Sequence, residues 1–136
     1  LHDRDTLDFS FSGIKTAVIN YVRNREQKGL PVPREDLAAS FQERVCEWMS
    51  DKAVRAALRQ GTDTVVVAGG VGANETLRAK MGDKAAARGL RVLYPPLGLC
   101  TDNAAMIGAQ AYYAVRCGAR ACGLDLDADA DARMTD

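Results

Sequence analysis

Two loops carry residue types that could do chemistry. Ala68-Gly69-Gly70-Val71-Gly72-Ala73-Asn74 leaves an apolar β-branched run and enters a helical pattern. Glycines at such a turn let a ligand approach the backbone, and a helix start presents unpaired N–H groups to an anion. The spacing is neither that of a dinucleotide fingerprint nor that of a P-loop, which ends in Lys-Ser/Thr. Cys100-Thr101-Asp102-Asn103-Ala104-Ala105 occupies the equivalent place between a second strand pattern and a second helix. In open α/β sheets, ligands bind outside the carboxyl ends of the strands, where both loops would lie. A plainer reading stands beside this one, because Asn74 and Asp102 are both good helix N-caps. Likewise Ser12-Gly13 reads as a plain turn or as part of a site, and Lys15 as a solvated helix residue. The four cysteines, Cys46, Cys100, Cys117 and Cys122, form no CxxC pair, and His2 is the one histidine. That set does not make a zinc site, and the thiols are expected to be reduced and mostly buried.

The elements that must position these loops follow from periodicity. Leu7, Phe9 and Phe11 alternate with Asp8 and Ser10, the pattern of a half-buried strand over residues 7–11. Ser12-Gly13 breaks it, and Ile14, Val18, Tyr21 and Val22 then recur at helical spacing. Gly29-Leu30-Pro31-Val32-Pro33 is an extended connector. Pro33 opens the longest helix, with Glu35 and Asp36 near its positive end. Leu37, Phe41, Val45, Trp48 and Met49 make one apolar stripe there, continued by Ala53 and Ala56 up to Gly61. Thr64-Val65-Val66-Val67-Ala68 reads as a strand buried on both faces. A helix from about Asn74 carries Leu77, Met81 and Ala85 on one side and stops at Gly89. Residues 91–94 form another short strand before Pro95-Pro96, and a last helix runs from about Thr101 to Arg116, stopped by Gly118. The acidic, Ala-rich stretch 125–136 has little to bury and is expected to fray. Strands alternating with helices predict a parallel α/β arrangement.

Composition bounds the remaining possibilities. The 136 residues are 47% hydrophobic and 26% charged, enough for a core and a wet surface. Lys plus Arg and Asp plus Glu are 18 each, so no global field draws the chain to nucleic acid or acidic membranes. No apolar run approaches the length of a membrane span, and no secretory signal is visible. A cytoplasmic protein with no membrane association is the expectation. The opening Leu1-His2-Asp3, without Met, suggests a piece of something longer.

Four motifs in order resemble one family. Asp8-Phe9-Ser10-Phe11-Ser12-Gly13-Ile14-Lys15-Thr16-Ala17-Val18 is similar to the FSFSGxKTAV signature of the bacterial TsaD/Gcp family. Leu37-Ala38-Ala39-Ser40-Phe41-Gln42 follows it, then Val67 to Asn74 with Leu77-Arg78. Pro95-Pro96-Leu97, with Leu99-Cys100-Thr101-Asp102-Asn103-Ala104-Ala105-Met106-Ile107, completes the set. The resemblance covers the C-terminal part of that family's chain, less than half of it. It implies an α/β fold, part of an actin-like ATPase lobe (ASKHA, ribonuclease H-like), over residues 1–124, with residues 125–136 as a flexible acidic tail.

The family's members are tRNA adenosine threonylcarbamoyltransferases, once labelled O-sialoglycoprotein endopeptidases. They move threonylcarbamoyl from threonylcarbamoyl-AMP to adenosine 37 of tRNAs reading ANN codons. By resemblance, Asp102 is a ligand of one divalent metal, iron or zinc, and Asn74 hydrogen-bonds the nucleotide (threonylcarbamoyl-AMP or ATP). Gly69 and Gly70 let the backbone come close to it. The implied partners are tRNA and the pathway proteins TsaB and TsaE. The family's two histidine ligands have no counterpart here, so the chain alone is expected to be inactive. The open edge of its Thr64–Ala68 strand and the wide apolar stripe with Phe41 and Trp48 lead to the further expectation that it self-associates. Cys117 and Cys122 fall outside every motif. Two other readings compete: a non-catalytic actin-like scaffold of the same pathway, and the historical metalloendopeptidase. A scaffold needs neither Asp102 nor the glycine loop, and the sequence has no HExxH helix for a protease.

Overall fold

Ser10 turns the chain into its first helix, its Oγ accepting the Gly13 N–H at 3.3 Å. The computed structural model describes residues 6–121, Gly123 and Asp127, in two units, Leu1–Thr101 and Asp102–Asp136. Helix α1 spans Phe11–Gln27. The strand expected over residues 7–11 does not form, and Ser12-Gly13 lies inside α1 rather than breaking the chain. The alternation has a different cause. Phe9 and Phe11 both turn onto Trp48, with ring centroids 5.0 and 6.1 Å from the indole. A period-two pair of aromatics suits that cluster as well as it suits a strand.

Helix α2 spans Arg34–Gln60, with Pro33 before its first turn, Glu35 and Asp36 inside it, and Gly61 closing it at φ +65°. The left-handed cap is a conformation that glycine adopts without penalty. Strand β1 (Thr64–Val66), helix α3 (Glu75–Ala86) and strand β2 (Arg91–Leu93) follow, and α4 spans Ala104–Arg116. The two strands pair in parallel, with Val65 opposite Val92. The core lies where α2 and α3 meet the sheet: Cys46, Val54, Leu77, Met81 and Ala85 are buried, with Val65, Val67 and Val92 packed against them.

Two expectations need correction. β1 is not buried on both faces, because α2 and α3 cover one side while Val66, 68% exposed, stands on the other. The forward part of the α2 stripe lies outside the core, with Phe41 exposed. Leu37, Phe41 and Val45 instead line an apolar groove of about 810 Å³ with Ile14, Val18 and Val22 of α1. Helix α1 itself buries no residue. Second, Cys46 and Cys100 are buried as free thiols but Cys117 is exposed, and Cys122 lies outside the described residues. The tail 125–136 also lies outside them, apart from Asp127.

Polar residues fasten the helices. Lys80 of α3 bridges Glu43 and Glu47 of α2 at 2.6 and 3.0 Å, and Lys84 bridges Glu47 and Asp51. Lys52 of α2 is 95% buried because its ammonium donates to the Asp8 carbonyl and lies over the Phe9 and Trp48 rings. A buried charge requires such partners. Among the described residues, no helix is long and apolar enough to cross a membrane.

Candidate functional site

The glycine loop is shaped by two opposite needs, openness in front and bracing behind. After β1, the Val67 N–H donates to Leu93 O at 3.0 Å and the chain leaves the sheet. Gly69 then adopts φ +82°, where a side chain would be strained. Gly70–Ala73 winds one 3-10 turn, closed by the Gly72 N–H on Gly69 O at 2.9 Å. A Cβ added at Gly69 or Gly70 would meet nothing within 4 Å, so this side is open to a ligand. The first amides of the turn have no carbonyl within it to receive them, as at any helical start. Gly72 faces the other way and is buried; a Cβ there would touch Val67 Cγ1 at 3.5 Å.

Asn74 is the N-cap of α3, as its residue type predicts. Its Oδ1 accepts the Leu77 N–H at 3.0 Å and the Cys46 thiol at 3.7 Å. Its Nδ2 donates to Gln42 Oε1 at 3.1 Å, and Gln42 Nε2 donates to Thr76 Oγ1 at 3.2 Å. One side chain thus ties the loop to α3 and to α2, and one Nδ2 proton is left over. Burial raises the Cys46 thiol, with Glu43 adding to the rise and Lys80 opposing it, so the sulfur stays protonated and serves as a donor.

Arg78 braces the loop from the other side. Its Nε donates to Gly72 O at 2.6 Å, and its Nη2 donates to Pro95 O at 3.1 Å and to Cys100 Sγ at 3.2 Å. The guanidinium lies 4.9 Å from the Tyr94 ring centroid, and the Tyr94 hydroxyl donates back to Arg78 O at 2.9 Å. Burial raises the Tyr94 phenol, with Arg78 opposing and Asp83 adding, which keeps that donor protonated. Periodicity gives no hint of this role. The one signal was position, an arginine four residues after the cap, where a helix's first turn faces back over its own loop.

Asp102 opens the second unit, and it is not the cap of α4. Asn103 takes that place in extended backbone, its Oδ1 accepting the Met106 N–H at 3.0 Å. Asp102 is exposed and makes no hydrogen bond or ion pair among the described residues. Gly69, Gly70 and Asn74 therefore share one loop of the first unit, while Asp102 stands in the second. No group of three metal-ligating side chains occurs among the described residues. One carboxylate does not enclose a cation, so these residues alone do not fit a metal site.

The chain as a whole is similar to proteins of one name. The family profile that matches residues 2–109 is described as tRNA N6-adenosine threonylcarbamoyltransferase. A protein of that name from Clostridium botulinum (strain 657 / Type Ba4) is 49% identical over 127 residues, 93% of this chain and 37% of its own. Another, from Fusobacterium nucleatum subsp. nucleatum, is 45% identical over 133 residues, 95% of this chain and 39% of its own. A third, from Bacillus cereus, is 47% identical over 132 residues, 91% of this chain and 38% of its own. The chain spans less than two fifths of the length of these relatives.

Proposed function

This chain belongs to the family of tRNA N6-adenosine threonylcarbamoyltransferases, and on that premise we propose that its glycine loop binds the nucleotide part of threonylcarbamoyl-AMP. In this reading the full-length protein modifies adenosine 37 of ANN-decoding tRNAs. The adenosine N6 attacks the threonylcarbamoyl carbonyl, a C–N bond forms, the bond to AMP breaks, and N6 loses a proton. The contribution of this chain is to bind and orient. Gly69 and Gly70 admit the adenylate to the backbone, the leading amides of the 3-10 turn meet its negative charge, and the remaining Nδ2 proton of Asn74 fixes its position.

Asp102 enters this reading as one carboxylate ligand of a divalent iron or zinc ion whose other ligands lie outside the described residues. No step above depends on that ion. The tRNA, TsaB, TsaE and a cytoplasmic setting belong to the same reading.

The observation that carries the proposal is the open Gly69-Gly70 face backed by the Asn74 cap. The test is a calorimetric titration of ATP into the full-length protein and its Asn74→Ala variant. We expect affinity to fall about tenfold, the size of one lost hydrogen bond to a charged ligand. Wild-type affinity with a lowered melting temperature would reduce Asn74 to a cap.

A further inference from the structure

Arg78 joins two loops that no other side chain joins in the contacts described above. Its three donors reach Gly72 O, Pro95 O and Cys100 Sγ. Gly72 closes the 3-10 turn of the glycine loop, and Cys100 is buried at the end of the segment after β2. A guanidinium can do this because its donors are splayed in a fixed plane, whereas an ammonium offers one point of attachment. The plane is itself held, against the Tyr94 ring and by the Tyr94 hydroxyl on the Arg78 carbonyl. None of these contacts uses the open side of the loop, where a Cβ on Gly69 or Gly70 would meet nothing within 4 Å.

We infer that Arg78 is a positioning residue for nucleotide binding. It sets the conformation of the glycine loop by clamping Gly72 to the Pro95–Cys100 segment, and it does not touch the ligand. The inference rests on the proposed nucleotide role of the loop and adds to it the residue that holds the loop ready. Preorganisation of this kind acts on affinity by sparing the ligand the cost of ordering the loop. A residue that merely stabilised the fold would lower the melting temperature and leave the affinity of the folded protein unchanged.

The test uses the full-length protein with ATP as the probe, comparing Arg78→Lys, Arg78→Met and Tyr94→Phe. Two readouts accompany the melting temperature: the ATP dissociation constant, and the alkylation rate of Cys100 against exposed Cys117 as internal reference. Arg78→Lys keeps the charge and the stem but cannot span both loops. It should weaken ATP about tenfold and speed Cys100 alkylation at least tenfold, with folding retained. Tyr94→Phe should lower the melting temperature with little change in either readout, because the three Arg78 donors stay in place. Should Arg78→Met fail to fold, Arg78→Lys carries the test. Wild-type ATP affinity in folded Arg78→Lys overturns the inference. A wild-type protein that binds no ATP overturns the nucleotide reading as well, whereas slow Cys100 alkylation in Arg78→Lys overturns the clamp itself.

Discussion

Asn103 caps α4 and its neighbour Asp102 does not, which lets function and stability be separated at adjacent residues. Asn103→Ala removes the acceptor for the Met106 amide and should destabilise the protein by about 1 kcal/mol. Asp102→Ala removes an exposed carboxylate without a partner among the described residues, so thermal melting should move by less than about 0.5 kcal/mol. In the full-length protein the same change should abolish tRNA modification and lower metal content. Retained activity and metal would leave Asp102 without a role. The sequence reading gives the cap to Asp102, because its residue type suits the position as well as that of Asn103. The choice lies in the backbone, where Asn103 has the extended conformation that a cap requires. Asn74 was easier to read: a single cap former stood between a glycine turn and a helical pattern. Its ties to Gln42 and Cys46 cross 32 and 28 residues of sequence and leave no local trace.

The seam between α2 and α3 is electrostatic on its outer side. Hydrogen bonds from Lys84 and then Lys80 hold the Glu47 carboxyl below its ordinary value of 4.5. Hydrogen bonds to Glu43 and Glu47 raise Lys80. Burial alone would lower Lys84, and hydrogen bonds to Asp51 and Glu47 overcome it. A depressed carboxylate stabilises the fold above its unfolded pKa and loses that contribution as pH falls through the folded one. Stability should therefore decline as pH drops below about 4.5, the unperturbed Glu value, and Glu47→Gln should flatten that decline. At neutral pH, Glu47→Ala should cost no more than about 1 kcal/mol, since the group is partly solvated. Urea melts of both proteins between pH 3 and pH 7 check this; parallel profiles would refute it. At this scale the helix ends were legible, because Pro33, Gly61, Gly89 and Gly118 act locally through backbone geometry. The strand read into residues 7–11 was not there, since a strand needs a partner as well as a pattern. A two-residue period cannot tell a sheet face from an aromatic cluster on Trp48.

For the whole chain, the decisive quantity is apolar surface left without a cover. The sheet of the described residues has two strands, and a two-stranded pair is marginal by itself. Each strand has an unpaired edge, a template for another strand. Helix α1 contributes an apolar groove and buries nothing. The 136-residue chain should accordingly self-associate, one copy covering the groove and sheet edge of another. Light scattering across a hundredfold range of concentration should show mass rising with concentration. Phe41→Glu, which places a charge in the groove, should shift the rise to higher concentration. A mass equal to one chain throughout would refute the expectation.

The burial of Lys52 beneath Phe9 and Trp48 has a practical side. Trp48 is the single tryptophan of the chain, and the ammonium sits 4.9 Å from the centre of its ring. Indole emission is therefore a built-in reporter of whether the segment before α1 is seated on α2. Lys52→Met should change the emission of the native state without changing that of the denatured state. Any ligand, partner or acid that lifts Phe9 away would announce itself as a change in colour or brightness, with no label attached.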